Sequence, residues 1–268
     1  MANRNEEVRQ FIRARYAGVA KGAQPSCCGG GCSCGGPQET ASLLGYDEGD
    51  LSDAPPASNM GLGCGNPIAI AALQEGESVL DLGSGGGFDC FLARRQVGEA
   101  GQVIGVDMTP DMVALARKNA AEMGYANVDF RLGEIEHLPV ADGSVDAVIS
   151  NCVINLSPDK AQVFSEMFGV LRPGGRISTS DVVAIAEIPQ ALRDDFGMIA
   201  SCIGGAEHVD IIKAMLLDAG FGDIRMYPKD NSAEIVNSWL PEGGLDGYIA
   251  SYVMEAVKPG CCCGGGCC

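Results

Sequence analysis

Histidine is nearly missing from this chain of 268 residues: His137 and His208 are the only two. Both fall in stretches that read as loop or surface, so acid–base chemistry built on imidazole has little to stand on. Basic residues are also scarce, with 18 lysines and arginines against 35 aspartates and glutamates and a formal net charge of -17. Such a field repels phosphates and gives no attraction to an anionic membrane surface, so neither nucleic acid nor a membrane is expected as a partner. No stretch reaches the ~20 apolar residues of a membrane-spanning helix. The opening MANRNEEVRQF has acids and lacks the apolar core of a signal peptide, and the expected location is the cytoplasm. Oligomeric state leaves no trace in the sequence, and a monomer is the default.

Cysteine is plentiful, with 13 residues, alongside 38 glycines. A reducing cytosol argues against a disulfide framework, and an odd count leaves at least one thiol outside any pairing. Soft thiolates in that setting point to a soft metal or metalloid. Two tracts, QPSCCGGGCSCGGPQ with Cys27, Cys28, Cys32 and Cys34, and the closing CCCGGGCC, cannot form packed elements on their own. Cys64, Cys90, Cys152 and Cys202 stand singly.

The densest signal is VLDLGSGGGFDCF, residues 79–91. A short apolar run ends in Asp81 and is followed by Gly83, Ser84, Gly85, Gly86 and Gly87. Residues with so little side chain let the backbone turn sharply out of a strand and approach a ligand, while the helix that starts near Phe88 aims its free N–H groups at the same place. A dinucleotide fingerprint would need glycine at position 88, where Phe88 stands. The pattern instead carries an acid before the loop, Asp81, and another at the end of the next apolar run, Asp107 in QVIGVD. An acid in the second place can take both hydroxyls of a ribose, and one in the first can pair with a ligand ammonium group.

Around this loop the chain alternates. Strands are expected at 78–82, 102–107, 128–132, 145–150 and 176–182, with helices at 88–97, 110–123 and 158–171. This alternation means a mostly parallel sheet with helices on both faces. An amphipathic helix over 6–20 precedes it, residues 43–62 read as irregular, and Asn66 and Pro67 read as the cap and first residue of a helix. Thr109-Pro110-Asp111 and Ser157-Pro158-Asp159 repeat one start signal of cap, proline and acid. Helices at 190–199 and 209–219, a strand at 223–227 and a last strand over 248–258 complete the reading. Cys64 lies in a glycine-flanked turn, Cys152 just after the fourth strand and Cys202 in the segment inserted after the fifth. Each is a place where an α/β fold puts ligand-binding loops. Cys90, inside a helix among Phe88, Phe91 and Leu92, reads as a buried apolar thiol.

GLGCGNP, VLDLGSGGGFDC, GVDMTPDM, LGEIEHLPV, SNCVINLSPDK and LRPGGR, in this order and with these three cysteines, resemble the arsenite S-adenosylmethionine methyltransferases over about residues 43–259. The resemblance implies a Rossmann-like class I methyltransferase fold with an antiparallel last strand at or near the sheet edge. It implies a division into 1–42 (helix and Cys/Gly loop), 43–185 (S-adenosylmethionine-binding domain), 186–259 (arsenic-site region and closing strands) and 260–268 (tail). It assigns Asp81, Gly83, Ser84 and Gly85 to the methionine end of the cofactor, Asp107 to its ribose, Met108, Glu134 and Ile135 to the adenine, and Asn151 to closing the site. It assigns Cys64, Cys152 and Cys202, with a further cysteine such as Cys34, to trivalent arsenic. Arsenite or its thiol conjugates would be the substrate, and a small thiol or thioredoxin the reductant. Read from the residues alone, Met108 also fits core packing and Glu134 a solvated turn. The tracts fit either metalloid capture or idle scavenging. Two other functions stay open at this point: methyl transfer to a small organic acceptor, and metalloid buffering without transfer.

Overall fold

The computed structural model describes residues 2–22, 36–239 and 243–260; the Cys/Gly tract with Cys34, and the C-terminal cysteines, lie outside them. The alternating pattern builds β1 (Ser78–Leu82), α5 (Phe88–Val97), β2 (Gln102–Asp107), α6 (Pro110–Met123), β3 (Val128–Leu132), β4 (Val145–Asn151), α7 (Lys160–Val170) and β5 (Leu171–Ala184). Before them come α1 (Ala2–Ala20), α2 (Pro37–Leu44), α3 (Glu48–Asp53) and α4 (Ile68–Ala71). After them come α8 (Gln190–Asp194), α9 (Phe196–Ile199), α10 (Val209–Asp218), β6 (Gly222–Pro228), α11 (Ser232–Asn237) and β7 (Ile249–Val257). The sheet order is β3-β2-β1-β4-β5-β7-β6. β1 to β5 are parallel, and β7 runs antiparallel to both β5 and β6. This is the class I methyltransferase fold.

The two-residue period of β1 sorts its side chains between two cores. Val79 packs with Cys90, Phe91 and Val97 of α5, while Leu80 and Leu82 pack with Phe164 and Met167 of α7 and Leu216 of α10. Asp81 shares parity with Val79 and therefore faces α5. Phe164 is fully buried, and its truncation to alanine would cost about 3–5 kcal/mol. The strand order reverses between β1 and β4, and that crevice at the carboxyl ends of the strands is where open α/β sheets place ligands.

Several local expectations need correction. Residues 43–62 are not irregular throughout: α3 forms there, started by a reciprocal cap in which Asp47 Oδ1 accepts from Asp50 N at 2.8 Å and Asp50 Oδ2 from Asp47 N at 3.3 Å. The start of α7 is capped by Asp159, which accepts from Gln162 N at 3.1 Å, and not by Ser157. The expected helix over 190–199 breaks in two at Asp195, whose carboxylate accepts from Met198 N at 2.9 Å and so starts α9. The Leu171–Gly175 turn is absorbed as an irregularity in β5. The last strand, β7, does run antiparallel near the sheet edge, one place inside β6. Asn66 does cap its helix, its Oδ1 accepting from Ala69 N at 3.0 Å. No helix among the described residues is long and apolar enough to cross a membrane.

Candidate active site

A cavity of about 1190 Å³ opens above the β1–β4 crevice. Its floor on one side is the glycine loop. Gly83 holds φ 68°, and a Cβ there would meet the Val153 side chain at 2.5 Å, so no other residue fits both the backbone and the space. Ser84 Oγ is buried without a hydrogen-bond partner. At the end of β2, Asp107 Oδ2 accepts from Gly85 N at 3.0 Å and Oδ1 from Thr109 N at 2.8 Å. The Thr109 side chain is a further donor to this carboxylate. Burial raises the Asp107 pKa against the pull of those N–H groups. Met108 and Ile135 continue this wall.

Asp81 lines the cavity and is buried. Cys90, on α5, is fully buried in the core, as expected, and its Sγ also donates to Asp81 Oδ2 at 3.2 Å. Burial first, then the nearby Asp89 charge, pushes the Asp81 pKa up. A cationic ligand group is what such a carboxyl lacks.

Sequence reasoning missed the next layer. Asp89, in the first turn of α5, accepts from Tyr46 Oη at 2.6 Å and from Asn151 Nδ2 at 3.3 Å. Its pKa is pushed up to about 6 by burial. An acid in a first helical turn beside a glycine loop was the available signal. Asn151 ties this layer together: its Nδ2 also donates to Tyr46 Oη at 3.0 Å and Gly65 O at 2.8 Å, and its Oδ1 accepts from Cys64 N at 3.0 Å. Gly63, at φ 122°, allows that approach, since a Cβ there would sit 2.8 Å from Asn151 Oδ1.

Cys64, Cys152 and Cys202 are linked through two backbone oxygens; the sulfurs of Cys64 and Cys152 lie within 4.8 Å of each other, and the three sulfurs do not all lie that close together. Cys64 is fully buried; its Sγ donates to Ser180 O at 3.3 Å. Cys152, at the end of β4, donates its N–H to the same oxygen at 2.8 Å. Cys202 Sγ donates to Cys152 O at 3.0 Å. Cys152 and Cys202 hold φ 56° and 64°, left-handed values that cost about 1 kcal/mol or more outside glycine. Burial pushes the Cys64 thiol up to about 11. The Cys152 thiol is also pushed up, by burial and by the neighbouring thiols of Cys202 and Cys64. Cys152 and Cys202 line the cavity directly, whereas Cys64 stands behind them.

Glu134, expected at the adenine edge, is not among the residues that line the cavity. Its carboxylate pairs with Arg13 and, at 3.7 Å, with Arg9, both on α1. The acid that lines the cavity is Glu136, held by Arg9 at 3.1 Å and by Ser157 Oγ at 2.7 Å. Helix α1 itself supplies Arg9, Ile12 and Tyr16 to the cavity wall. Tyr16 Oη donates to Ala200 O at 3.3 Å, two residues from Cys202. His137 is exposed and His208 caps α10 through Nδ1, so both histidines stand in turns.

Residues 73–220 match the methyltransferase-domain family. The chain is 50% identical over 264 residues to the arsenite methyltransferase of Halobacterium salinarum, an alignment that covers 95% of this chain and 67% of that one. It is 41% identical over 211 residues to that of Aquipseudomonas alcaligenes, covering 74% and 60%. Among solved structures, it is similar to an arsenic(III) S-adenosylmethionine methyltransferase from Chlamydomonas reinhardtii, with a TM-score of 0.60, 34% identity and coverage of 84% and 74%. The chain thus spans between about three fifths and two thirds of the length of these two curated relatives. With its glycine loop, second-strand acid and three linked cysteines, the chain belongs to the arsenite methyltransferase family.

Proposed function

We propose that the chain transfers methyl groups from S-adenosylmethionine to trivalent arsenic held by Cys64, Cys152 and Cys202, yielding methylated arsenicals as a detoxification. The observation that carries this reading is one cavity lined both by the glycine loop with Asp107 and by Cys152 and Cys202. The first wall suits the cofactor. Ser84 Oγ is a buried hydroxyl without a partner, Asp81 is a buried carboxyl short of a cation, and Gly83 keeps the floor clear. In this reading Asp81 and Ser84 hold the methionine end, Asp107 the ribose, and Met108, Ile135 and Glu136 the adenine side. The bound cofactor supplies an electrophilic methyl group on a sulfonium.

The second wall makes the nucleophile. Cys64 and Cys152 keep their protons at neutral pH, so each can condense with an arsenic hydroxyl and release water. Three As–S bonds fill the ligand positions of trivalent arsenic and leave its lone pair exposed toward the cavity. The protein's main contribution is alignment, because arsenic carries no proton that a base would need to remove. Residues 43–185 would carry the cofactor and 186–259 complete the thiol site. Arsenite or its thiol conjugates would enter in the cytoplasm. A small thiol or thioredoxin would reduce any disulfide left by turnover in what we take to be a monomer.

Mass spectrometry of products after incubation with arsenite, a thiol and the cofactor tests the reading. Methylated arsenicals are expected from the native chain and none from Cys152→Ser. Transfer to an organic acceptor without arsenic, or binding of arsenite without any product, would overturn it.

A further inference from the structure

Asp181, on β5, belongs to neither wall as described so far. It is buried, and one of its oxygens lies within 4.8 Å of both Cys64 Sγ and Cys152 Sγ, which are equally close to each other. Its Oδ1 accepts from Val182 N at 2.7 Å and Asn155 Nδ2 at 2.8 Å and its Oδ2 from Ile154 N at 2.9 Å, with Asn155 N a further backbone donor to the carboxylate. A carboxylate fixed by backbone N–H groups is how proteins orient an oxygen ligand to a metal.

We propose that Cys64, Cys152 and Asp181 form a second ligand set, for a thiophilic divalent cation such as Zn²⁺ or Cd²⁺, which competes with trivalent arsenic for the two shared thiols. The two ions differ in what they accept. Trivalent arsenic seeks three sulfurs, which brings in Cys202. Zinc takes mixed sulfur and oxygen donors in a four-coordinate shell, with sulfur near 2.3 Å and carboxylate oxygen at roughly 2.0–2.2 Å. Two thiols and one carboxylate supply three such donors after modest contraction, and the two thiol protons pass to solvent. Cys152 lines the cavity, so a fourth ligand, water, has a route in. Two cations offset the charge of this set: Lys160 acts on Asp181 and Lys229 on Cys64. The competition rests on the proposed arsenic site, whereas the cation set stands on geometry.

The test uses the full chain with the tract cysteines changed to serine. Co²⁺ titration should give thiolate-to-cobalt absorption that vanishes in Cys152→Ser. Asp181→Asn should weaken Co²⁺ by about tenfold and leave arsenite affinity unchanged, read from the fluorescence of Trp239, which lines the cavity. Cys202→Ser should do the reverse. If Cys202→Ser weakens Co²⁺ and Asp181→Asn does not, or if the absorption never appears, the proposal is overturned. Should Asp181→Asn fail to fold, zinc-edge X-ray absorption on the unaltered site decides. Two sulfurs with an oxygen shell support the proposal, and three sulfurs or none overturn it. Loss of arsenic methylation with the cobalt result intact would sink the proposed function alone.

Discussion

The two walls of the cavity are built in opposite ways. The cofactor wall is local: Asp81 to Gly87 run consecutively, and Asp107 meets them through Gly85 N at 3.0 Å because β1 and β2 are paired neighbours. The thiol wall draws on residues 64, 152 and 202, which share no element. Their meeting point is Ser180 O, which accepts from Cys64 Sγ and Cys152 N, and Cys152 O, which accepts from Cys202 Sγ. Local geometry stabilises the first wall, where glycines take the positive φ values. In the second wall two cysteines take them, and the surrounding packing must hold that strain. A site made by one loop can form as soon as its strand and helix do. A site made by topology forms only when the whole sheet is in place.

The largest effect expected from this contrast is selective loss on the thiol side. Cys152→Ser and Cys202→Ser should each lower arsenite methylation by about a hundredfold or more, since misplacement of the reacting atom is costly. Calorimetry should find cofactor affinity within about twofold of native. The converse variant is Asp107→Ala. Removing a charged acceptor should cost about 2 kcal/mol, roughly thirtyfold in cofactor Kd, with arsenite affinity retained. If either variant depletes both affinities equally, the walls are not separable.

That contrast also decides what could be read from the chain alone. The strands, the glycine loop and the order β-α-β were legible because periodicity and turn chemistry are local. The proximity of Cys64, Cys152 and Cys202 came only through family resemblance, as no spacing rule joins them. Parity and remote partners caused the misses. Glu134 and Glu136 flank Ile135 on one turn, and their ion pairs with Arg9 and Arg13 of α1, more than a hundred residues away, leave no local mark. Cys90 was legible as a buried thiol because its neighbours are apolar, and only its bond to Asp81, turned toward it by the period of β1, was not. Nothing in the sequence marked Asp181 or Tyr46, whose partners lie far along the chain.

Asn151 sits where the walls meet, and it offers a way to blur them. Asn151→Ala would strand the Cys64 N–H and remove a donor from Asp89 and from Tyr46 Oη. Unfolding should show a loss of about 1–3 kcal/mol. Both affinities should fall together, each by roughly fivefold for about 1 kcal/mol. A fall confined to one ligand would mean that Asn151 serves only that wall.

The smallest expected effect is one of pH on arsenite capture, and its sign follows from the thiols. Arsenous acid is undissociated near neutrality, and its condensation with protonated thiols gives a neutral complex and water, with no net proton exchanged. Burial raises both the Cys64 thiol, to about 11, and the Cys152 thiol, so both bring their protons to the reaction well above neutral pH. Arsenite affinity measured by Trp239 fluorescence should therefore change by less than about twofold between pH 6 and 8. Were these thiols ionised in the free protein, condensation would consume protons and affinity would fall about tenfold for each proton taken up per unit rise in pH. A divalent cation behaves in the opposite sense: it must expel the thiol protons, so its affinity should climb across the same range.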